Sequence, residues 1–125
     1  YVRAAVKPLG RASIKGRFQV DTGYATVLCL TKDFVAAHKL LPPIDKLERA
    51  PVCGLAGDSA EPSWIGKMES LELGSIRIAN PETEFSRADF NQDFDGFIGD
   101  VALMPYRVIF DYSRETMILT VSVKK

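Results

Sequence analysis

The sequence predicts an all-β fold, mostly antiparallel, with one or two short helices. Three observations carry this. Short runs rich in Val, Ile, Phe and Thr recur along the chain, turn residues separate them at close intervals, and only two segments carry helical start and stop signals. The β-prone runs are Val2 to Val6, Arg17 to Val20, Ala25 to Leu30, Trp64 to Leu71, Ser75 to Ile78, Tyr106 to Asp111 and Met117 to Val123. Strands so short and so closely spaced suit a sandwich or barrel in which chain neighbours pair.

Taken in order, Ser13-Ile14-Lys15-Gly16-Arg17 has the turn chemistry of a hairpin, Leu73-Gly74-Ser75 that of a second, and Tyr112-Ser113-Arg114-Glu115 joins the last two strands. The first helix starts at Thr31 as N-cap with Asp33 in its first turn. It places Phe34, Ala37 and Leu41 on one face, and Pro42-Pro43 stops it. A second, single-turn helix spans Asp100 to Met104 and is closed by Pro105. There is also an internal echo. Phe18-Gln19-Val20-Asp21-Thr22-Gly23 and Gly96-Phe97-Ile98-Gly99-Asp100 each drive an apolar strand into a sharp, glycine-containing turn.

The 125 residues suit one domain over 1–125, and the start Tyr1-Val2-Arg3, without an initiator Met or signal pattern, reads as cut from a longer chain. With 46% hydrophobic and 26% charged residues the composition is ordinary for a globular protein. Sixteen basic residues balance sixteen acidic ones, which argues against nucleic acid or an anionic membrane as partner. No apolar stretch is long enough for a membrane-spanning helix, so no membrane insertion is expected. Cys29 and Cys53 are too few for a disulfide scaffold and read as buried fillers or one incidental pair.

Asp21-Thr22-Gly23 is the sharpest chemical feature. As a bare tripeptide it equally describes a turn whose Asp and Thr bond their own backbone and whose Gly supplies a positive φ. At the tip of an apolar strand it has a second meaning. A carboxylate there, backed by a hydroxyl and a residue without Cβ, can be held beside a second carboxylate. Two such groups roughly 3 Å apart cannot both ionise, so they share a proton and divide the work of general base and general acid. The sequence has one Asp-Thr-Gly, so the second acid must come from another copy or another domain.

Gly16-Arg17-Phe18-Gln19-Val20-Asp21-Thr22-Gly23, followed by Thr26-Val27-Leu28 and a helix, resembles the first half of a retropepsin-like aspartic protease. Leu71-Glu72-Leu73-Gly74-Ser75-Ile76 resembles that family's strand pair after the flap. Asp95-Gly96-Phe97-Ile98-Gly99-Asp100, with Tyr106 to Tyr112 and Met117-Ile118-Leu119, resembles the ending of its bacterial members. The resemblance implies a closed, mostly antiparallel acid-protease fold with Asp21 as catalytic carboxylate and Thr22 and Gly23 as its supporting loop. It further implies Phe97-Ile98-Gly99 as the turn beneath that loop, and a flap at Gly54, Leu55, Ala56 and Gly57. Substrate would then be an extended peptide, no cofactor or metal would be needed, and a homodimer or paired domain would complete the site. By the same analogy the setting is extracytoplasmic. Two positions depart from the pattern: Tyr24 stands where the family has a small residue, and Asp100 follows Gly99 where viral members carry Arg.

Other candidates are weaker. Asn91 to Gly96 imitates the start of an EF-hand, but its twelfth position is Ala102 where a bidentate Glu is required. His38 has no nucleophile motif beside it, and Trp64 and Phe34 read as packing residues. A catalytically silent peptide-binding or dimerisation module on the same fold is the rival to an aspartic endopeptidase.

Overall fold

The computed structural model describes residues 1–50, 63–87 and 93–121. Its elements in chain order are β1 (Val2–Lys7), β2 (Ile14–Asp21), β3 (Leu28–Leu30), α1 (Lys32–His38), β4 (Glu48–Ala50), β5 (Ser63–Lys67), β6 (Ser70–Leu73), β7 (Ile76–Ala79), β8 (Glu82–Phe85), β9 (Gly96–Gly99), α2 (Asp100–Leu103), β10 (Tyr106–Asp111) and β11 (Thr116–Val121). The all-β expectation holds, and so do both short helices.

Nine strands form one sheet in the order β4-β5-β8-β3-β9-β2-β1-β6-β7, and β10 with β11 forms a separate ribbon. Every pairing is antiparallel except β2 with β9 and β3 with β8. The expected closure is corrected: among the described residues the sheet does not come round into a barrel, and its ends are β4 and β7. Both edges discourage further pairing, since β4 has three residues with Glu48 and Arg49 exposed and β7 presents Arg77.

The first hairpin also differs from expectation. Residues 14–17 lie inside β2, paired with β1 from Val6↔Ile14 to Arg3↔Arg17. The reversal falls earlier, around Gly10, whose φ of 69° lies in the region that glycine alone enters without strain. Gly74 does the same at φ 59°, in the two-residue loop between Leu73 and Ile76.

Helix α1 begins as its sequence predicts. The Thr31 Oγ1 accepts the Phe34 N–H at 3.4 Å, while the Thr31 N–H and hydroxyl both donate to the Asp95 carbonyl, at 2.9 and 3.1 Å. It stops at Lys39, left-handed at φ 52°, where the Arg11 guanidinium takes up the His38 and Lys39 carbonyls. Phe34 is the buried residue of the helix, and Leu40, just past its end, is buried as well, while Ala37 and Leu41 are exposed, contrary to the periodicity. The helix ends one turn before Leu41, so the expected spacing no longer applies there.

One face of the large sheet carries the core. Phe18, Leu28, Leu30, Leu71, Phe85, Ile98 and Val6 are all essentially inaccessible, with Phe34 of α1 set edge-on against Phe18. Side chains alternate along a strand, so the other face carries the residues between them. Directly partnered positions place Gln19, Phe97, Cys29, Glu84 and Ile65 in one row across that second face.

Candidate active site

Asp21 is the last residue of β2, two positions beyond Gln19 on the second face. The chain turns at once: the Tyr24 N–H donates to the Asp21 carbonyl at 3.1 Å, and the Gly23 N–H donates to Asp21 Oδ1 at 2.9 Å. That second bond orients the carboxylate. Asp21 is half-buried, while Thr22 and Gly23 are exposed. Gly23 is not among the left-handed glycines, so its use here is room: a Cβ would lie 3.3 Å from Asp21 Oδ1.

What holds the turn down is β9. Although β2 and β3 are consecutive in the chain, β9 lies between them, parallel to β2 with Asp21↔Gly99 and antiparallel to β3 with Leu28↔Ile98. The Gly99 N–H donates to the Val27 carbonyl at 3.1 Å and the Asp100 N–H to the Tyr24 carbonyl at 3.0 Å. A Cβ on Gly99 would sit 2.0 Å from the Thr26 carbonyl oxygen and 2.5 Å from that of Tyr24, and one on Gly96 would sit 2.2 Å from the Cys29 carbonyl oxygen. Both glycines thus let main chain lie on main chain at the two ends of β9, which accounts for the Gly-Phe-Ile-Gly pattern. Phe97 is half-buried, and Ile98 reaches into the core.

Tyr24 is the residue whose role the sequence hid. Its ring lies 6.1 Å from that of Phe97, and its hydroxyl donates to Glu84 Oε2 on β8. Rather than standing free, the side chain is engaged by β9 and β8. No local pattern marks Glu84, since a Glu in the run Glu82-Thr83-Glu84-Phe85 reads as a polar loop. The only signal was its place among β-prone Thr83 and Phe85. Beside the turn, Thr26 Oγ1 and Asp100 Oδ1 are buried without a hydrogen-bond partner among the described residues.

The expected flap residues Gly54, Leu55, Ala56 and Gly57 lie outside the described residues, as does Cys53. Their flanks are described: β4 and β5 pair antiparallel, with Arg49↔Trp64 as the central pair. Cys29 is fully buried on β3.

No protein-family model matches this chain, and no curated protein matches it. A solved structure does, that of a retropepsin-like aspartic protease from Rickettsia conorii. It aligns with TM-score 0.63 at 24% identity, over 94% of this chain and 79% of that one. The fold is retropepsin-like.

Within that retropepsin-like fold the last ribbon stands apart. Val108 and Leu119, partners across β10 and β11, lean on the core, whereas the paired Ile109 and Ile118 face outward at 41% and 40% exposure. Phe110, Tyr112 and Val121 are also exposed. Among the described residues no helix is long and apolar enough to cross a membrane.

Proposed function

We propose that the chain is an aspartic endopeptidase domain of retropepsin type over residues 1–125, active as a pair in which each copy supplies one Asp21. The observation that carries this reading is a carboxylate at the tip of β2, oriented by the Gly23 N–H and set on a turn that β9 locks from beneath. One Asp21, ionised, takes a proton from a water that attacks the scissile carbonyl carbon. The other, protonated, gives its proton to the carbonyl oxygen, leaving a neutral tetrahedral intermediate. The newly protonated carboxyl group then gives its proton to the amide nitrogen while the other carboxylate takes one from a hydroxyl of the intermediate; the C–N bond breaks to a carboxylic acid and an amine, and the pair is again left with one shared proton.

Thr22 and Gly23 support the turn, and Phe97, Ile98 and Gly99 form its floor. Substrate is an extended peptide laid along the site as an added strand. Gly54, Leu55, Ala56 and Gly57 belong to the segment joining β4 to β5 and act as the flap in this reading. The exposed apolar ribbon of β10 and β11 supports a self-association that brings two Asp21 side chains together. A silent binding module is the second reading, favoured by the bulk of Tyr24 where the family has a small residue.

The experiment compares the purified chain with Asp21→Asn on a quenched-fluorescence peptide library, with mass measured by light scattering. Asn is nearly isosteric but cannot share the proton, so cleavage is abolished while the circular dichroism spectrum is kept. Cleavage at the wild-type rate in Asp21→Asn overturns the mechanism, and a folded, dimeric wild type that cuts no peptide favours the silent module.

A further inference from the structure

Glu84 is an unusual residue for its position. It sits in the middle of β8 between Thr83 and Phe85, both buried, and is itself only 8% exposed. Its Oε2 accepts the Tyr24 hydroxyl, and its Oε1 has no hydrogen-bond partner among the described residues. A carboxyl group so buried and half-satisfied is costly, and an aliphatic side chain of similar volume would remove the cost. What the carboxyl group supplies in return is an acceptor for Tyr24.

The Tyr24 main chain is the hub of the turn that carries Asp21. Its N–H holds the Asp21 carbonyl, and its own carbonyl receives the N–H groups of Thr26 and Asp100, at 2.9 and 3.0 Å. The Gly23 N–H that orients the Asp21 carboxylate belongs to the residue immediately before it. A tyrosine side chain has only two χ angles, so tying its hydroxyl to β8 leaves almost no freedom for the backbone at its base. The turn is then mounted at two points, by β9 under its main chain and by Glu84 at the far end of the Tyr24 ring.

We propose that Glu84 is a positioning residue for Asp21, acting through the Tyr24 hydroxyl. Its effect on cleavage rests on the reading of Asp21 given above, whereas its effect on the turn does not.

The test uses the full chain with Tyr24→Phe, Glu84→Leu, their combination, and Glu84→Gln, which keeps an acceptor oxygen. Amide hydrogen exchange is followed by NMR at Thr26 and Asp100, with Val6 and Leu71 as remote controls. Tyr24→Phe and Glu84→Leu each speed exchange at Thr26 and Asp100 by about tenfold and leave Val6 and Leu71 unchanged, and the combination is no faster than either alone. Glu84→Gln behaves as wild type. On a cleaved peptide kcat falls about tenfold with KM held within about twofold, the signature of misplaced catalytic groups. Unchanged exchange in Tyr24→Phe overturns the proposal, as does exchange that rises equally at the remote amides, or faster exchange with unaltered kcat. Should Glu84→Leu not fold, Tyr24→Phe, which deletes one oxygen atom, decides alone. A wild type that cleaves no peptide removes the protease reading and leaves the exchange comparison to decide this one.

Discussion

Adding a single methyl group at Gly99 should do more harm than truncating most surface residues. Its Cβ would lie 2.0 Å and 2.5 Å from the carbonyl oxygens of Thr26 and Tyr24, well inside the roughly 3.3 Å of a normal C···O approach. Neither oxygen belongs to a flexible side chain, so the backbone of the turn must move. Moving it strains the bond from the Gly99 N–H to Val27 and the two that converge on the Tyr24 carbonyl. At about 1 kcal/mol net for each hydrogen bond, Gly99→Ala costs on the order of 3 kcal/mol. Gly10→Ala is the control: it has open space but a left-handed φ, so only backbone strain of about 1–2 kcal/mol applies. Urea denaturation of both variants gives the comparison. A Gly99→Ala protein within about 1 kcal/mol of wild type, or less affected than Gly10→Ala, would refute the view that β9 presses directly on the turn.

Three further outcomes follow from other parts of the molecule. Thr31→Ala removes both the cap on α1 and a bond to the Asp95 carbonyl, and should lower stability by about 1–2 kcal/mol in the same assay. In the last turn the Ser113 hydroxyl, chiefly, holds the Asp111 carboxyl below its ordinary value of 3.8; desolvation opposes it, and the N–H groups of Arg114 and Ser113 add to the lowering. A lowered folded value means the stabilisation is whole above the unfolded value and lost as pH falls through the folded one. Asp111→Asn should therefore destabilise the protein at neutral pH, and the gap to wild type should close below pH 3.8 in denaturation curves taken across pH. Ile109→Lys with Ile118→Lys charges the outward face of the ribbon; light scattering should show a lower mass at unchanged thermal stability, and an unaltered mass would move the pairing surface elsewhere.

Much of this architecture could be read from local patterns, and the exceptions have identifiable causes. Strands such as β1, β7, β10 and β11 announce themselves through β-branched residues and flanking turns. The cap of α1 was legible because Thr31 and Asp33 act within one turn of chain. By contrast β8 carries two glutamates in four residues, and β4 reads as a solvated charge cluster, so burial or pairing with β5 decided both. The Trp64 to Leu71 run proved to be two strands, because Met68 and Glu69 bond back to Pro81 and Lys7 rather than continuing one ladder. At the site, Asp21 and the Gly-Phe-Ile-Gly run were visible as an echo, yet the reason for the glycines was not. Their lack of a Cβ matters because of distant carbonyls, which no local window contains. The Tyr24–Glu84 contact was hidden for the same reason.

The insertion of β9 between two strands that follow each other in the chain bears on how the molecule is made. Asp21 and Gly99, the glycine that underpins it, are far apart in the chain, so the loop closure needed to bring them together is entropically demanding. During synthesis the early half leaves the ribosome with its acidic turn unsupported and cannot assemble the pocket on its own. The turn that carries Asp21 therefore takes its final shape only after β9 has been made.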